Sequence, residues 1–364
     1  ACGNIICVKL CFSNSAISRL IRYNSSMAYI ILNKNNFFNN LDIIAKSTKG
    51  RDKIALVLKD NAYGHGLLEM AHMAKEYGVK RAVVRTCQEA DKIEDFFDYI
   101  LVLGEIPASK SDKIRYTIND VDSISRFPKG TKVELKVDTG MHRNGILMSE
   151  LDEAFSKIKE AKLSLEAVFT HHRSADELTS EWFWQNNNFK TVKERAIELS
   201  KKFGFGTLRF HSSNSASLFR NNNFDEDMAR VGIAAYGCMD LPQALNTEGL
   251  KPVLSLWASK VSSRELKAGQ RVGYGGDYEA LKDCVVSNYD FGYGDGFLRA
   301  CANGYKTSNA IELVGRVSMD NSTFMSSEDE LLIFNDATEA AKYAKTISYE
   351  ILTALKADIK REII

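Results

Sequence analysis

The sequence predicts an α/β protein, a closed (β/α)8 barrel of the TIM type followed by a mostly antiparallel β-domain. Three observations predict it. Short apolar runs alternate with helix-patterned segments from residue 54 to residue 233. Polar and charged residues recur at the carboxyl ends of those runs. After Gly237 the texture changes to β-rich segments punctuated by glycine. Strand–helix alternation calls for a parallel sheet, and eight such units call for closure. An open doubly wound sheet is the rival, but it would more often show a GxGxxG turn after its first strand, and none is present.

The runs, in order, are IALVLK (54–59), RAVVR (81–85), YILVLG (99–104), IRYTI (114–118), KVELKVD (132–138), LEAVFTH (165–171), LRFH (208–211) and MARVGI (228–233). Their length and apolar character suit strands buried on both faces. Between them LLEMAHMAKEYG, EADKIEDFF and SELDEAFSKIKEAK place apolar residues at helical spacing. Before the first run, AYIILN (28–33) reads as a strand and 34–48 as a long helix. From about residue 246, PVLSLWASKVSSRELKAGQRVGYGGDY, DCVVSNYDFGYGDGF and AIELVGRVSMD show partial alternation and Gly turns, which predicts antiparallel strands. EAAKYAKTISYEILTAL predicts one closing helix.

Composition excludes several classes. Apolar residues are 45% and charged residues 26% of the 364, ordinary values for a globular protein. A net charge of +1 without Lys/Arg clusters points away from nucleic acid. No apolar stretch is long enough to span a membrane. Seven cysteines at irregular spacing, with no CxxC pair, indicate neither a disulfide framework nor a metal site. Reduced thiols and a cytoplasmic location fit best. Residues 1–26 contain no acidic residue and do not follow the order of a signal peptide, so they are expected to be an extension outside the fold, with a targeting peptide as the alternative.

The richest stretch is IALVLKDNAYGHG, residues 54–66. Lys59 ends a buried strand where one more Leu or Val would be ordinary. A lone lysine there would normally snorkel to water. Here Asn61, Tyr63 and His65 follow it directly, and a partly desolvated lysine is suited to Schiff-base chemistry. The later runs repeat the pattern. Lys136 and Asp138 end the fifth, with Arg143 after it, and His171 ends the sixth. His211, Asn214 and Ser215 follow the seventh, while Arg230, Gly232 and Ile233 lie at the eighth. One charged strand end reads as solvated surface; five on one rim read as a site.

The stretch from 58 to 66 resembles the lysine motif Val-Lys-Ala-Asn-Ala-Tyr-Gly-His-Gly of the alanine racemase family, departing among its central residues only at Asp60. The resemblance extends over nearly all of residues 28–364. It implies an isomerase that uses pyridoxal 5'-phosphate to interconvert L- and D-alanine, as a homodimer with shared active sites, supplying D-alanine for peptidoglycan. It implies Lys59 as cofactor attachment and one base. It implies a phosphate clamp of Tyr63, Ser215, Gly232, Ile233 and Tyr349, with Asn214 nearby. Arg230 corresponds to the residue facing the pyridine nitrogen, and His171 to the histidine that bonds the second base. That base is Tyr274 of RVGYGGDY, reaching the other subunit's cofactor. Arg143 and Met319 correspond to substrate contacts, with Lys136 and Asp320 in support. Ser318 stands where the family commonly has Cys, and HRSAD departs from the usual pair after the histidine. The resemblance also implies that 28–33 joins the β-domain, with the barrel at 34–245 and the β-domain at 246–364. A serine or broad-specificity racemase is the nearest alternative. A barrel-type decarboxylase is further off, because its glycine-rich phosphate loop and late catalytic Cys are not found.

Overall fold

The structure, a computed structural model, describes residues 28–220, 223–245, 248–302 and 304–364. The expected extension at 1–26 lies outside the described residues. The chain opens with strand β1 (Tyr29–Leu32) and helix α1 (Lys34–Thr48). Asn33 caps α1 by accepting a hydrogen bond from the Asn36 N–H at 2.9 Å. Then come β2 (Ile54–Val57), α2 (Leu67–Tyr77), β3 (Arg81–Val84), α3 (Cys87–Ile93), β4 (Tyr99–Val102), β5 (Ile114–Ile118) and β6 (Lys132–Asp138). The two-residue β7 (Ile146–Leu147) and α4 (Leu151–Glu160) follow. β8 (Ser164–Phe169), α5 (Glu181–Phe203), β9 (Arg209–His211), α6 (Ser215–Arg220) and β10 (Ala229–Val231) complete the first unit.

Parallel strands run in the order β10-β2-β3-β4-β5-β6-β8-β9, so each strand lies beside its sequence neighbours and β10 returns beside β2. The result is a barrel that is nearly closed. Between β9 and β10 no ladder forms; single bonds from the Arg230 N–H to Ser213 O (2.9 Å) and the Asp227 N–H to Phe210 O (3.2 Å) bridge the seam. β2 and β4 are buried at every position, which explains their uninterrupted apolar sequences. The alternation of strand and helix is incomplete. Residues 103–113 and 119–131 carry no α-helix, and each contains a glycine and a proline where apolar periodicity would be needed.

The second unit contains the thirteen-residue β11 (Leu254–Leu266), β12 (Arg271–Val272), β13 (Tyr278–Glu279), β14 (Cys284–Tyr289), β15 (Ser322–Phe324) and β16 (Glu330–Phe334). α7 (Ala337–Ala344), α8 (Ser348–Ala354) and β17 (Lys360–Ile363) end it. Its sheet runs β15-β14-β11-β1-β17, with β16 also on β11. β1 pairs antiparallel with β11 and parallel with β17. The single closing helix expected from the sequence is two. Lys345 adopts the left-handed conformation (φ 54°) and caps α7 through its N–H to Ala341 O and Lys342 O, so the chain turns before α8. The two units are tied at several points, among them the buried Asn40 side chain, which donates to Ala235 O and Lys251 O, and Ser348 Oγ, which donates to Cys238 O.

Candidate active site

The polar residues singled out at strand ends gather on the rim of the barrel. β2 ends at Val57, one residue short of Leu58, whose N–H still bonds Val83 O at 2.8 Å. Lys59 then begins a turn of uncommon geometry: Asp60, Asn61, Ala62 and Tyr63 have φ of 53°, 55°, 52° and 50°. Consecutive left-handed residues other than glycine persist only where the surroundings hold them. The Asp60 N–H donates to Glu89 Oε1 (2.7 Å), while Glu89 Oε2 accepts from the N–H groups of Arg85 and Thr86. Asn61 accepts at both of its oxygens, from Gly66 N–H at its carbonyl and Leu67 N–H at its side chain. Arg361 of β17 donates twice to Gly64 O. Lys59 itself is one-third exposed, with Nζ 2.7 Å from Asp60 Oδ2 and 5.4 Å from the Tyr63 ring centre.

Tyr63 is wedged between Tyr236 and Tyr349, with ring centres 5.3 and 5.6 Å away. Gly232 is the reason it fits: a Cβ there would stand 2.9 Å from Tyr63 Cε2 and Oη. Ser215 Oγ accepts from the N–H groups of Gly232 (3.1 Å) and Ala234 (3.4 Å). No acceptor is recorded for the Ile233 N–H among the described residues. Asn214 closes the first turn of α6 by accepting from the Ser217 N–H. Burial pushes the Tyr63 phenol far up and that of Tyr349 up to about 12, so both are neutral donors.

Arg230 lies at the centre. Its Nη atoms donate to Thr170 O (2.7 Å), Ser212 O (3.1 Å) and His211 O (3.3 Å), and to His211 Nδ1. No carboxylate touches it, and no acceptor is recorded for its Nε–H among the described residues. His171 Nδ1 is 3.5 Å from Arg230 Nη2. Desolvation, then the charges of Arg230, Lys136 and Arg143, hold His171 well below its ordinary value and therefore neutral.

Lys136 shows the same crowding of cations. Burial first, then Arg143 and Arg230, lower its pKa to about 8. The ammonium is thus disfavoured in the folded chain at every pH below about 8, and the penalty fades as pH rises from there towards 10.5. Replacing Lys136 with Met is therefore expected to stabilise the fold by about 2–3 kcal/mol at neutral pH. The gain should shrink as the pH is raised past 8, read as the difference in urea midpoint between the two proteins. A constant difference across that range would refute it. Arg143 is exposed on a loop that Asp138 organises, its Oδ1 accepting from the N–H groups of Gly140, Met141 and His142.

Three residues do not join this cluster within one chain. Tyr274 (69% exposed), Met319 (56% exposed) and Asp320 stand on the surface of the second unit. No hydrogen bond, ion pair or ring contact links them to the rim among the described residues. Tyr274 sits in the turn between β12 and β13, flanked by Gly273 (φ 69°) and Gly275 (φ 75°) and braced by an ion pair of Arg316 with Asp277. Sequence reasoning missed Glu134, Glu226 and Glu89. In KVELKVD the residues Lys132, Glu134, Lys136 and Asp138 share one face of a strand whose other residues, Val133, Leu135 and Val137, are buried. Four charges on one face of a central barrel strand was the available signal.

Among the described residues no group of three or more His, Cys, Asp or Glu could hold a metal ion. Among them no helix is long and apolar enough to cross a membrane. Two family models match: alanine racemase, N-terminal domain, over residues 32–240, and alanine racemase, C-terminal domain, over 253–363. An alanine racemase of Nitratiruptor sp. is 48% identical over 335 residues, 92% of this chain and 99% of that protein. One from Campylobacter jejuni is 38% identical over 93% of this chain and 100% of its own length. The solved alanine racemase of Clostridium difficile superposes with a TM-score of 0.83 at 26% identity, covering 94% of this chain and 96% of its own. That of Bacillus anthracis has a TM-score of 0.81 at 27% identity, covering 93% and 95%.

Proposed function

Because the chain belongs to the alanine racemase family, and its reaction is the racemisation of alanine, we propose how its residues divide that work. The cofactor is pyridoxal 5'-phosphate, tethered at Lys59. Its phosphate is held by the hydroxyls of Tyr63, Ser215 and Tyr349 and the N–H groups of Gly232 and Ile233, neutral donors that suit a dianion. The close approach of Gly232 to Tyr63 and the open Ile233 N–H support that placement. The observation that carries the reading is Arg230. A buried guanidinium bonded to neutral groups alone, with Nε–H to spare, is suited to donate to a ring nitrogen and keep it without a proton.

When bound, the cofactor draws electrons from the α-carbon of the amino acid, so that a proton otherwise far too weakly acidic can leave. Inversion requires a proton to leave one face and return to the other, so two bases are needed. Lys59 Nζ, a free amine once the substrate amino group has displaced it, would serve the D-isomer, and Tyr274 Oη, contributed by a second copy of the chain, would serve the L-isomer. Arg143 pairs with the substrate carboxylate and Lys136 supports it. Met319 and Asp320 of the second copy border the substrate, and His171 positions that copy's Tyr274. The exposure of Tyr274 and Met319 on one chain supports a homodimer in which each site is shared. The enzyme would act in the cytoplasm, where its product would be drawn on for peptidoglycan.

Borohydride reduction of the cofactor-loaded protein tests the tether. The visible absorbance should vanish, and peptide mapping should place the reduced cofactor on Lys59. Attachment to any other lysine, or no absorbance after reconstitution, would overturn the assignment.

A further inference from the structure

Resting on the assignment of Arg230 to the ring nitrogen, we infer that Glu134 is a positioning residue for the reaction, acting on Arg230 through His211. Glu134 is completely buried inside the barrel. Its Oε1 accepts from Tyr99 Oη (2.6 Å) and Arg209 Nη2 (2.9 Å), and its Oε2 lies 3.0 Å from His211 Nε2. On the far side of the imidazole, Arg230 Nη1 faces His211 Nδ1. A guanidinium can only donate, so Nδ1 must offer its lone pair. In a neutral imidazole the proton then sits on Nε2, where Glu134 accepts it. One carboxylate thus selects the tautomer that a donor on the opposite edge requires.

The surroundings hold this arrangement in place. Burial keeps His211 below its ordinary pKa and hence neutral, while bonds from His211, Arg209 and Tyr99 outweigh burial and keep Glu134 ionised. Phe169 stacks on the His211 ring with centres 4.7 Å apart and planes 13° from parallel, and Arg230 Cζ lies 5.1 Å from the Phe169 ring centre. Arg209 also bonds Glu166, which pairs with Arg115, so the row of charges continues away from Arg230. A second buried carboxylate, Glu226, acts from the other side, accepting from the N–H of Ser212 and of Ser213 while Ser212 O accepts from Arg230. Two carboxylates therefore compensate Arg230 at one remove. Direct pairing would draw the guanidinium towards an acid; compensation through His211 and Ser212 leaves Nε–H to the ring nitrogen.

Glu134→Gln removes the charge at nearly constant volume, and its amide can turn an N–H towards His211 Nε2. That shifts the imidazole proton to Nδ1, where it opposes the Arg230 N–H. With 15N-labelled histidine in the loaded enzyme, His211 should show a bare Nδ1 and a protonated Nε2 in the parent and a mixed or reversed pattern in the variant. The alanine kcat should fall about 10- to 100-fold with KM little changed, because Arg143 rather than Arg230 meets the carboxylate. Formation of keto acid, with the amino group and two electrons left on the cofactor, should rise relative to racemisation, because a ring nitrogen no longer kept without a proton draws electrons more strongly. A merely structural role would lower active enzyme without altering tautomer or product ratio. If the amide variant does not fold, Glu134→Asp keeps the charge but shortens the reach to His211, and the same rise in keto acid is expected. An unchanged tautomer pattern and product ratio in the folded variant overturns the inference. Arg230→Glu separates the two ways that can happen. If it raises keto acid while Glu134→Gln does not, only the relay falls; if it changes nothing either, the placement of Arg230 falls with it.

Discussion

Lys59→Ala should reduce racemisation about a thousandfold or more, the cost of removing the residue proposed as both a general base and the cofactor tether. The fold should survive. Lys59 is one-third exposed and its recorded ion partner is Asp60, its neighbour in the chain, so the loss in stability should stay below about 1 kcal/mol. Kinetics in both directions with circular dichroism and a thermal midpoint decide the matter. A fully active variant would remove Lys59 from the mechanism. Loss of activity with loss of fold would show instead that the lysine supports the left-handed turn.

A comparable loss is expected from Tyr274→Phe, and combining the two variants tests the proposed shared site. Each alone should be almost inactive. Mixed in equal amounts and allowed to exchange, half of the dimers pair unlike chains. Each of those holds one site with both defects and one with neither, so activity should return to about a quarter of the parent. If exchange is demonstrated and the mixture stays inactive, Tyr274 does not serve a second copy's site.

Much of the barrel was legible because its strands lie between other elements and admit no polar interruption. IALV of β2 and YILV of β4 are buried at every position, though each strand ends two residues before the charged or glycine residue that closes its apolar run. Helix α1 was equally plain, since Asn33 supplies a cap before its apolar stripe. Two features escaped. Lys345 breaks the last helical pattern by taking a left-handed cap, a choice that depends on carbonyls at Ala341 and Lys342 and not on local composition. The seam between β9 and β10 is carried by isolated bonds, which periodicity cannot register. On the rim, Lys59, Lys136, Asp138, His171 and Arg230 announced themselves by falling at strand ends, whereas Tyr63 was marked by following Lys59. Glu134 did not, because a carboxylate alternating with Val and Leu is the ordinary mark of a strand with one face in water. Inside the barrel its carboxylate is met by Tyr99, Arg209 and His211, the last 77 residues further on.

The left-handed run from Asp60 to Tyr63 bears on any attempt to raise this enzyme's heat resistance. Side chains cost roughly 1–2 kcal/mol each in that conformation, and glycine avoids the cost. A screen that rewards survival of heating would thus favour glycine at Asp60 or Ala62, where the backbone already has the shape glycine accepts. Such variants would gain melting temperature while freeing the segment that aims Lys59 and Tyr63, and turnover would fall as robustness rose. Gly64 offers no matching opportunity in reverse, since any side chain there meets Leu352 O at 2.0 Å. Selection for durability and selection for speed would pull this four-residue run in opposite directions.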